Sequence, residues 1–375
     1  MRFDSLMVAQ ELEKLHSSFQ GGLPHYVKIF KGRIMTIITK KTISAAVVAS
    51  LVGLSSAAHA FTACQVTDIG GVDDKGFNAT AWKGVQDAVA AHGIGSKLLE
   101  SKSETDYMPH LNSFIAEGCD IIVSVGFLMG EATANAAKEN PNGKFAIVDF
   151  AYDPTIPNVM GLVYATDEAA FLAGYLAAGV SKTGIVGTFG GINIPPVTGF
   201  MDGFVAGVNH HNKAKGTSVQ VLGWDPAAKE GLFTGNFNSL DDGRAFAQNL
   251  YDEGADIVMP VAGPVGLGSA ALASELGTDN LKIIGVDVDQ YVLDTKNSSV
   301  YLTTVEKGMD QSVQSAIESV KDGSFAGGMW VGTLANNGVR IAPYHDLAGA
   351  VSSELNSEVQ AIKAGIIDGS ISVKN

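Results

Sequence analysis

The chain has 375 residues, 46% of them hydrophobic and 17% charged, with 44 Gly and 11 Pro. That length suits two domains, and that composition excludes a disordered or collagen-like chain. A balance of 25 Lys and Arg against 39 Asp and Glu gives a formal charge of −14, which repels a phosphate backbone, so no nucleic acid is expected as a partner.

Residues 1–34 fit no part of an export signal and are expected to be an upstream translated stretch, with the true start at Met35. Residues 35–60 follow the order of a signal peptide: Lys40-Lys41, the apolar run Ile43–Leu54, then Ala58-His59-Ala60 with cleavage expected after Ala60. The run is shorter than the ~20 residues a membrane-spanning helix needs. The mature protein is therefore expected to be exported, to the periplasm or to the outer face of the cell membrane.

Export places the two thiols in an oxidising compartment. Cys64 opens one apolar stretch and Cys119 immediately precedes another, Ile121–Val125. If these are neighbouring parallel strands, both sulfurs lie at the same end of a sheet. A Cys64–Cys119 bridge is then expected, provided the Cα atoms lie within ~7 Å. Two buried free thiols, or a lipid-attachment site at Phe61-Thr62-Ala63-Cys64, are the other readings.

From residue 61 the chain repeats a short β-rich apolar run, a turn, and a segment of helical period. The runs fall at Cys64–Thr67, Ser96–Leu99, Ile121–Val125, Phe145–Val148 and Val159–Val163, then at Gly184–Thr188, Ser218–Leu222, Asp256–Met259, Ile283–Val286 and Val300–Thr304. Helical stretches at Ala79–Ala91, Glu131–Lys138, Glu168–Val180 and Pro264–Leu276 lie between them. Strands that are apolar throughout and separated by helices mean parallel sheets covered on both faces, and there are too many for one comfortable sheet. Two doubly wound α/β lobes are the economical answer.

In open sheets of this kind ligands sit outside the carboxyl ends of the strands. The first strand is followed by Asp68-Ile69-Gly70-Gly71-Val72-Asp73-Asp74-Lys75-Gly76-Phe77-Asn78, with Trp82 on the next helix. Asp73 or Asp74 alone reads as a helix cap, since Asp is among the strongest N-cap residues. Other strand ends carry Phe127, Asp149, Phe189, Phe200 with Asp202, Gly263, Asp287 with Asp289, and Lys307. Aromatic faces among polar groups describe a stacking and hydrogen-bonding pocket for a flat, polar-edged ligand. No cofactor fingerprint, phosphate loop, nucleophile elbow or metal-spaced histidine pair accompanies them. No enzyme and no cofactor are therefore expected; a secreted nucleoside-processing enzyme using the aspartates with a metal is the weaker alternative.

These residues carry a resemblance. Val66-Thr67-Asp68 through Phe77-Asn78 with Trp82, Val123–Phe127, Phe233–Phe237, Pro260–Gly263, Gly285–Gln290 and Gly338–Pro343 are similar to the motifs of the basic membrane protein family. Its characterised members bind purine nucleosides for ABC transporters. The resemblance implies a type I periplasmic-binding fold, two lobes joined by crossing strands, with lobe 1 drawn from 61–165 plus 288–312 and lobe 2 from 166–287 plus 313–375. It implies a nucleoside ligand and a membrane permease as partners. By position, Phe77 and Phe200 would sandwich the base, Phe189 being the substitute for Phe200. Asp74, Asn78 and Asp149 would meet the base edge, and Asp202, Gly263, Asp287 and Lys307 would surround the ribose; Phe127 is a further expected ligand residue. Another small polar metabolite, such as a sugar, is the alternative ligand.

Overall fold

The computed structural model describes residues 60–374; the expectations for the upstream stretch and for the leader up to residue 59 lie outside the described residues. The first sheet collects β1 (Thr62–Thr67), β2 (Gly95–Glu100), β3 (Ile121–Val125), β4 (Phe145–Val148) and β5 (Val159–Tyr164). The second collects β6 (Ile185–Gly190) and β7 (Gln220–Leu222) and, after a small antiparallel pair β8 (Trp224–Asp225) and β9 (Glu230–Gly231), β10 (Ile257–Val261), β11 (Lys282–Asp287) and β12 (Tyr301–Lys307). β13 (Gly328–Gly332) then returns to the edge of the first sheet beside β5, and β14 (Val339–Ile341) to the edge of the second, antiparallel to β12.

The two sheets share one order, β2-β1-β3-β4-β5 and β7-β6-β10-β11-β12. Each is doubly wound, with its reversal of strand order between β1 and β3 or between β6 and β10, where such sheets bind ligands. Every residue of β3, β4, β10, β11 and β12 is buried. That two-sided burial explains why the strands read as unbroken apolar runs instead of alternating ones. Leu162, Leu172, Phe204 and Ile284 are fully sealed in these cores, each contributing roughly 2 kcal/mol by leaving water.

Cys64 in β1 and Cys119, just before β3, form a disulfide with Cα atoms 6.1 Å apart. β1 and β3 are parallel neighbours, Cys64 opposite Ile122, so the bridge closes the amino end of the pair. With both sulfurs in one bond, the free-thiol and lipid-attachment readings give way.

The expected division into lobes needs correction in its second half. Residues 288–307 stay in lobe 2, because β12 is the parallel partner of β11. Residues 309–332 belong to lobe 1. The helix Met309–Asp322 buries Met309, Val313, Ala316 and Ile317 in one cluster with Ala81, Val85 and Ala88 of the helix Phe77–His92, and β13 extends the first sheet. Spacings of four, seven and eight residues put those apolar side chains on one helical face. Lobe 1 is thus 61–164 plus 309–332, and lobe 2 is 166–307 plus 339–374. The chain crosses between them three times, at Ala165, Gly308 and residues 333–338. Backbone bonds tie the crossings together: Ala165 N–H donates to Gly332 O, and Gly308 N–H to Gly338 O, each at 2.8 Å.

Candidate functional site: a cleft at the facing strand ends

The carboxyl ends of both sheets open on one cleft, with about 650 Å³ of space between its walls, open solvent included. Lobe 1 contributes Asp68, Asp74, Phe77, Asn78, Phe127 and Asp149, and lobe 2 contributes Ile194, Pro196, Phe200, Phe237, Gly263, Asp287 and Lys307. Nine of the ten expected ligand residues, Asp202 excepted, therefore line a single gap.

Lys307, the last residue of β12, is the hub. Its Nζ lies 2.7 Å from Asp149 Oδ2 and 3.3 Å from Asp287 Oδ1, and these side chains are 4%, 8% and 9% exposed. The same ammonium sits 5.0 Å from the Phe77 ring centre and 5.2 Å from that of Phe200, with Tyr164 at 5.8 Å, distances at which a cation is attracted to a ring face. Burial opposes the charge on Lys307, yet the carboxylates of Asp149 and Asp287 hold its pKa above the ordinary lysine value. Burial also pushes Asp149 up, against the pull of Lys307. Asp149 and Asp287 occupy equivalent places, at the ends of the fourth strand in each sheet order, and both are left-handed, with φ of 65° and 73°. Non-glycine residues in that region carry strain of ~1–3 kcal/mol and gather at ligand sites.

At the start of the helix Phe77–His92, Asp74 is both a cap and a cleft residue. Its Oδ1 accepts from Gly76 and Ala79 N–H (3.0 and 3.1 Å) and its Oδ2 from Asn78 N–H (2.7 Å) and the Asn78 amide (3.2 Å). It thereby serves helix N–H groups that have no intrahelical partner. Burial nevertheless drives its pKa up to about 6. The Asn78 amide also donates to Asp68 Oδ1 at 2.8 Å, while Asn78 Oδ1, sealed from solvent, has no hydrogen-bond partner. A buried acceptor left unmatched costs ~1–3 kcal/mol, and this one belongs to a residue that lines the cleft.

The aromatic assignments separate cleanly. Phe77 and Phe200 face the cleft from opposite lobes. Phe189 does not: this residue of β6 is fully buried, its ring packed on Phe246. Phe127 lines the cleft while its ring packs on Phe150 at 5.0 Å. Asp202 is a correction. It lies outside the cleft, accepting from Trp224 Nε1 at 2.9 Å and pairing with Lys229 at 2.8 Å. At 100° per residue, a helix that aims Phe200 into the cleft turns the residue two positions on away from it.

Asp68 and Phe237 line the cleft as well, and the expected ligand set omits them. Asp68 accepts from Gly70 N–H at 2.9 Å, and burial pushes its pKa up. Gly126, at φ 116°, lies so close that an added Cβ would stand 2.9 Å from Asp68 Oδ2, so only glycine leaves room for that carboxylate. The strand-end position of Asp68 was the signal that could have found it. Among the described residues, no group of three His, Cys, Asp or Glu is placed to hold a metal ion, and no helix is long and apolar enough to cross a membrane.

Two lobes of equal topology, joined by three crossings, with aromatics facing one another over a buried charge cluster, describe a two-lobed ligand-binding protein. Residues 61–375 match the Bmp family, ABC transporter substrate-binding protein PnrA-like, and the chain belongs to that family. It is 33% identical to the "ABC transporter nucleoside-binding protein BmpA" of Lactococcus lactis, over 83% of this chain and 88% of that one. It is also 33% identical to "Basic membrane protein A" of Borreliella burgdorferi, over 81% and 85%. An ABC transporter solute-binding protein from Aeropyrum pernix superposes with a TM-score of 0.75 at 25% identity, covering 83% of this chain and 92% of the other. The protein is accordingly a substrate-binding protein of an ABC transporter and not an enzyme; its place is extracytoplasmic and its partners are membrane transporter components.

Proposed function

We propose that this protein captures a nucleoside, a purine nucleoside in particular, between its lobes and delivers it to a membrane permease, working in the periplasm or at the outer face of the cell membrane. The carrying observation is that Phe77 and Phe200, from opposite lobes, approach the same buried ammonium, which Asp149 and Asp287 bracket. In this reading the two rings take the flat base between them. Asn78 Oδ1, Asp68 and Asp74 meet its hydrogen-bonding edge, and Asp149 stands at the rim of that group. Gly263, Asp287 and Lys307 surround the sugar hydroxyls, where carboxylates accept and an ammonium donates.

The relative from Lactococcus lactis, whose name says that it binds nucleosides, supports the reading. The charge set supports it too: four carboxylates, one ammonium and no arginine in the lining suit a neutral guest better than a phosphorylated one. Contacts to both lobes exist only when the cleft is closed, so the guest shifts the equilibrium by its differential affinity for that state. Titration calorimetry against guanosine, inosine, adenosine, uridine, ribose and glucose tests it. Tight binding of a purine nucleoside with none of the free sugars is expected; tight binding of a sugar with no nucleoside would overturn the proposal.

A further inference from the structure

The loop of residues 232–239 is held, not free. Its backbone is bonded to the end of β6: Gly190 N–H donates to Leu232 O at 2.9 Å, Thr234 N–H to Gly190 O at 3.0 Å, and Gly235 N–H to Gly191 O at 2.8 Å. Asn236 fastens the other half. Its side-chain Oδ1 accepts from Asn238 and Ser239 N–H (3.1 and 2.9 Å), and its Nδ2 donates to Thr234 O (3.1 Å) and to Asp242 Oδ2 (2.8 Å). Phe237 follows at once, and its ring rests on Gly191 so closely that a methyl group there would meet it at 2.2 Å. The same ring lines the cleft beside Ile194, Pro196 and Phe200.

We propose that Phe237 is a specificity-determining residue, a fixed aromatic wall set by Gly191 and Asn236 that limits the size of the guest's flat ring on the lobe 2 side. The inference rests on the nucleoside reading above. Everything that fixes Phe237 belongs to lobe 2, so the wall stands before the lobes close and screens guests at first encounter. The Lys307–Asp149 contact, by contrast, spans both lobes. The polar groups of lobe 1 read donors and acceptors, whereas Phe237 reads shape, because an aromatic face contributes contact area at little entropy cost and without directional bonds.

Calorimetry of the wild type and of Phe237→Ala, Phe237→Leu and Gly191→Ala tests the wall, with guanosine, inosine and adenosine set against purine nucleosides bearing a bulky group at the exocyclic amine or at C8. In Phe237→Ala the unsubstituted nucleosides are expected to bind about tenfold more weakly, while at least one enlarged analogue loses clearly less, so that the wild-type preference narrows. Phe237→Leu, which keeps apolar volume without the ring, falls between. Gly191→Ala displaces the ring and acts in the same direction, with a smaller effect in the Phe237→Leu background, where the flexible side chain yields. Unchanged affinities in Phe237→Ala, or an equal loss for every compound, overturn the inference and leave the nucleoside reading intact. A wild type that binds no nucleoside overturns both.

Discussion

Lys307 and Asp149 join the two lobes: an ammonium at the end of β12 donates at 2.7 Å to a carboxylate at the end of β4, and both side chains are nearly sealed from solvent. Removing one partner of such a buried pair leaves the other charge uncompensated, at a cost of about 2–5 kcal/mol. In Lys307→Met, Asp149 and Asp287 are left facing each other without their cation. Nucleoside affinity measured by calorimetry should fall by at least about 30-fold, and an unchanged value would remove Lys307 from the ligand set.

A second bond links the lobes outside the ligand contacts. Gln290 Nε2 donates to Lys75 O at 3.3 Å, with Lys75 in a left-handed turn of φ 51° and Gln290 anchored through its own N–H to Thr304 Oγ1 at 3.2 Å. One hydrogen bond of net ~0.5–1.5 kcal/mol biases closure modestly. Gln290→Met should weaken every nucleoside by the same factor, about 2- to 10-fold. Fluorescence energy transfer between labels on the two lobes should register a more open ligand-free ensemble. A change in the rank order of nucleosides, or an unshifted ensemble, would count against the latch.

Asp74 carries a pH dependence of definite sign. Its pKa rises from 3.8 to about 6 on burial, so the folded state holds the proton more tightly than the unfolded one. The stability this adds is fully present below about pH 4 and is lost as pH rises through about 6. A shift of about two units corresponds to about 3 kcal/mol at ~1.4 kcal/mol per unit. Asp68 and Asp149 are shifted in the same direction, so the effect is read as a difference between proteins. Denaturant unfolding should show the wild type losing stability relative to Asp74→Asn between pH 4 and 7; a difference that is flat across that range rejects the assignment.

The disulfide lies at the amino ends of β1 and β3, away from the cleft at their carboxyl ends, and encloses a separation of 55 residues. Chain-entropy arguments give such a cross-link about 4 kcal/mol. Replacing both Cys64 and Cys119 by Ala should lower the unfolding free energy by several kcal/mol in denaturant titrations while nucleoside affinity stays within about twofold. A large loss of affinity at full folding would show that the bridge also shapes the site.

Much of this architecture is legible in the chain because buried parallel strands write themselves as unbroken apolar runs. The stretches around Ile121–Val125 and Ile283–Val286 needed nothing further, and the groups at or just beyond the ends of such strands, Asp149, Asp287 and Lys307, fall where the strands release the chain. What escaped has definite causes. Asp202 reads together with Phe200 in the sequence, but residues two steps apart on a helix face away from each other. β13 is a five-residue edge strand bounded by glycines, with every other residue exposed or half-buried, and β14 has three residues, so neither reads as an unbroken apolar run. Their destinations, and that of the helix Met309–Asp322, depend on partners far away in the chain, so the lobe boundary near residue 308 could not be located locally. Phe237 sits in a loop that backbone bonds tie to the end of β6, more than 40 residues earlier in the chain, and that tie is what no local pattern encodes.

The three passages at Ala165, Gly308 and residues 333–338 mean that neither half is encoded by one uninterrupted stretch of the gene. A polypeptide stopped just after Lys307 would lack both the helix that covers Ala81, Val85 and Ala88 and the border strand beside β5. A single backbone cut at any one passage would still leave two covalent straps across the waist. During synthesis, then, the portion that emerges first from the ribosome must wait for nearly the last tenth of the chain before its fold is complete.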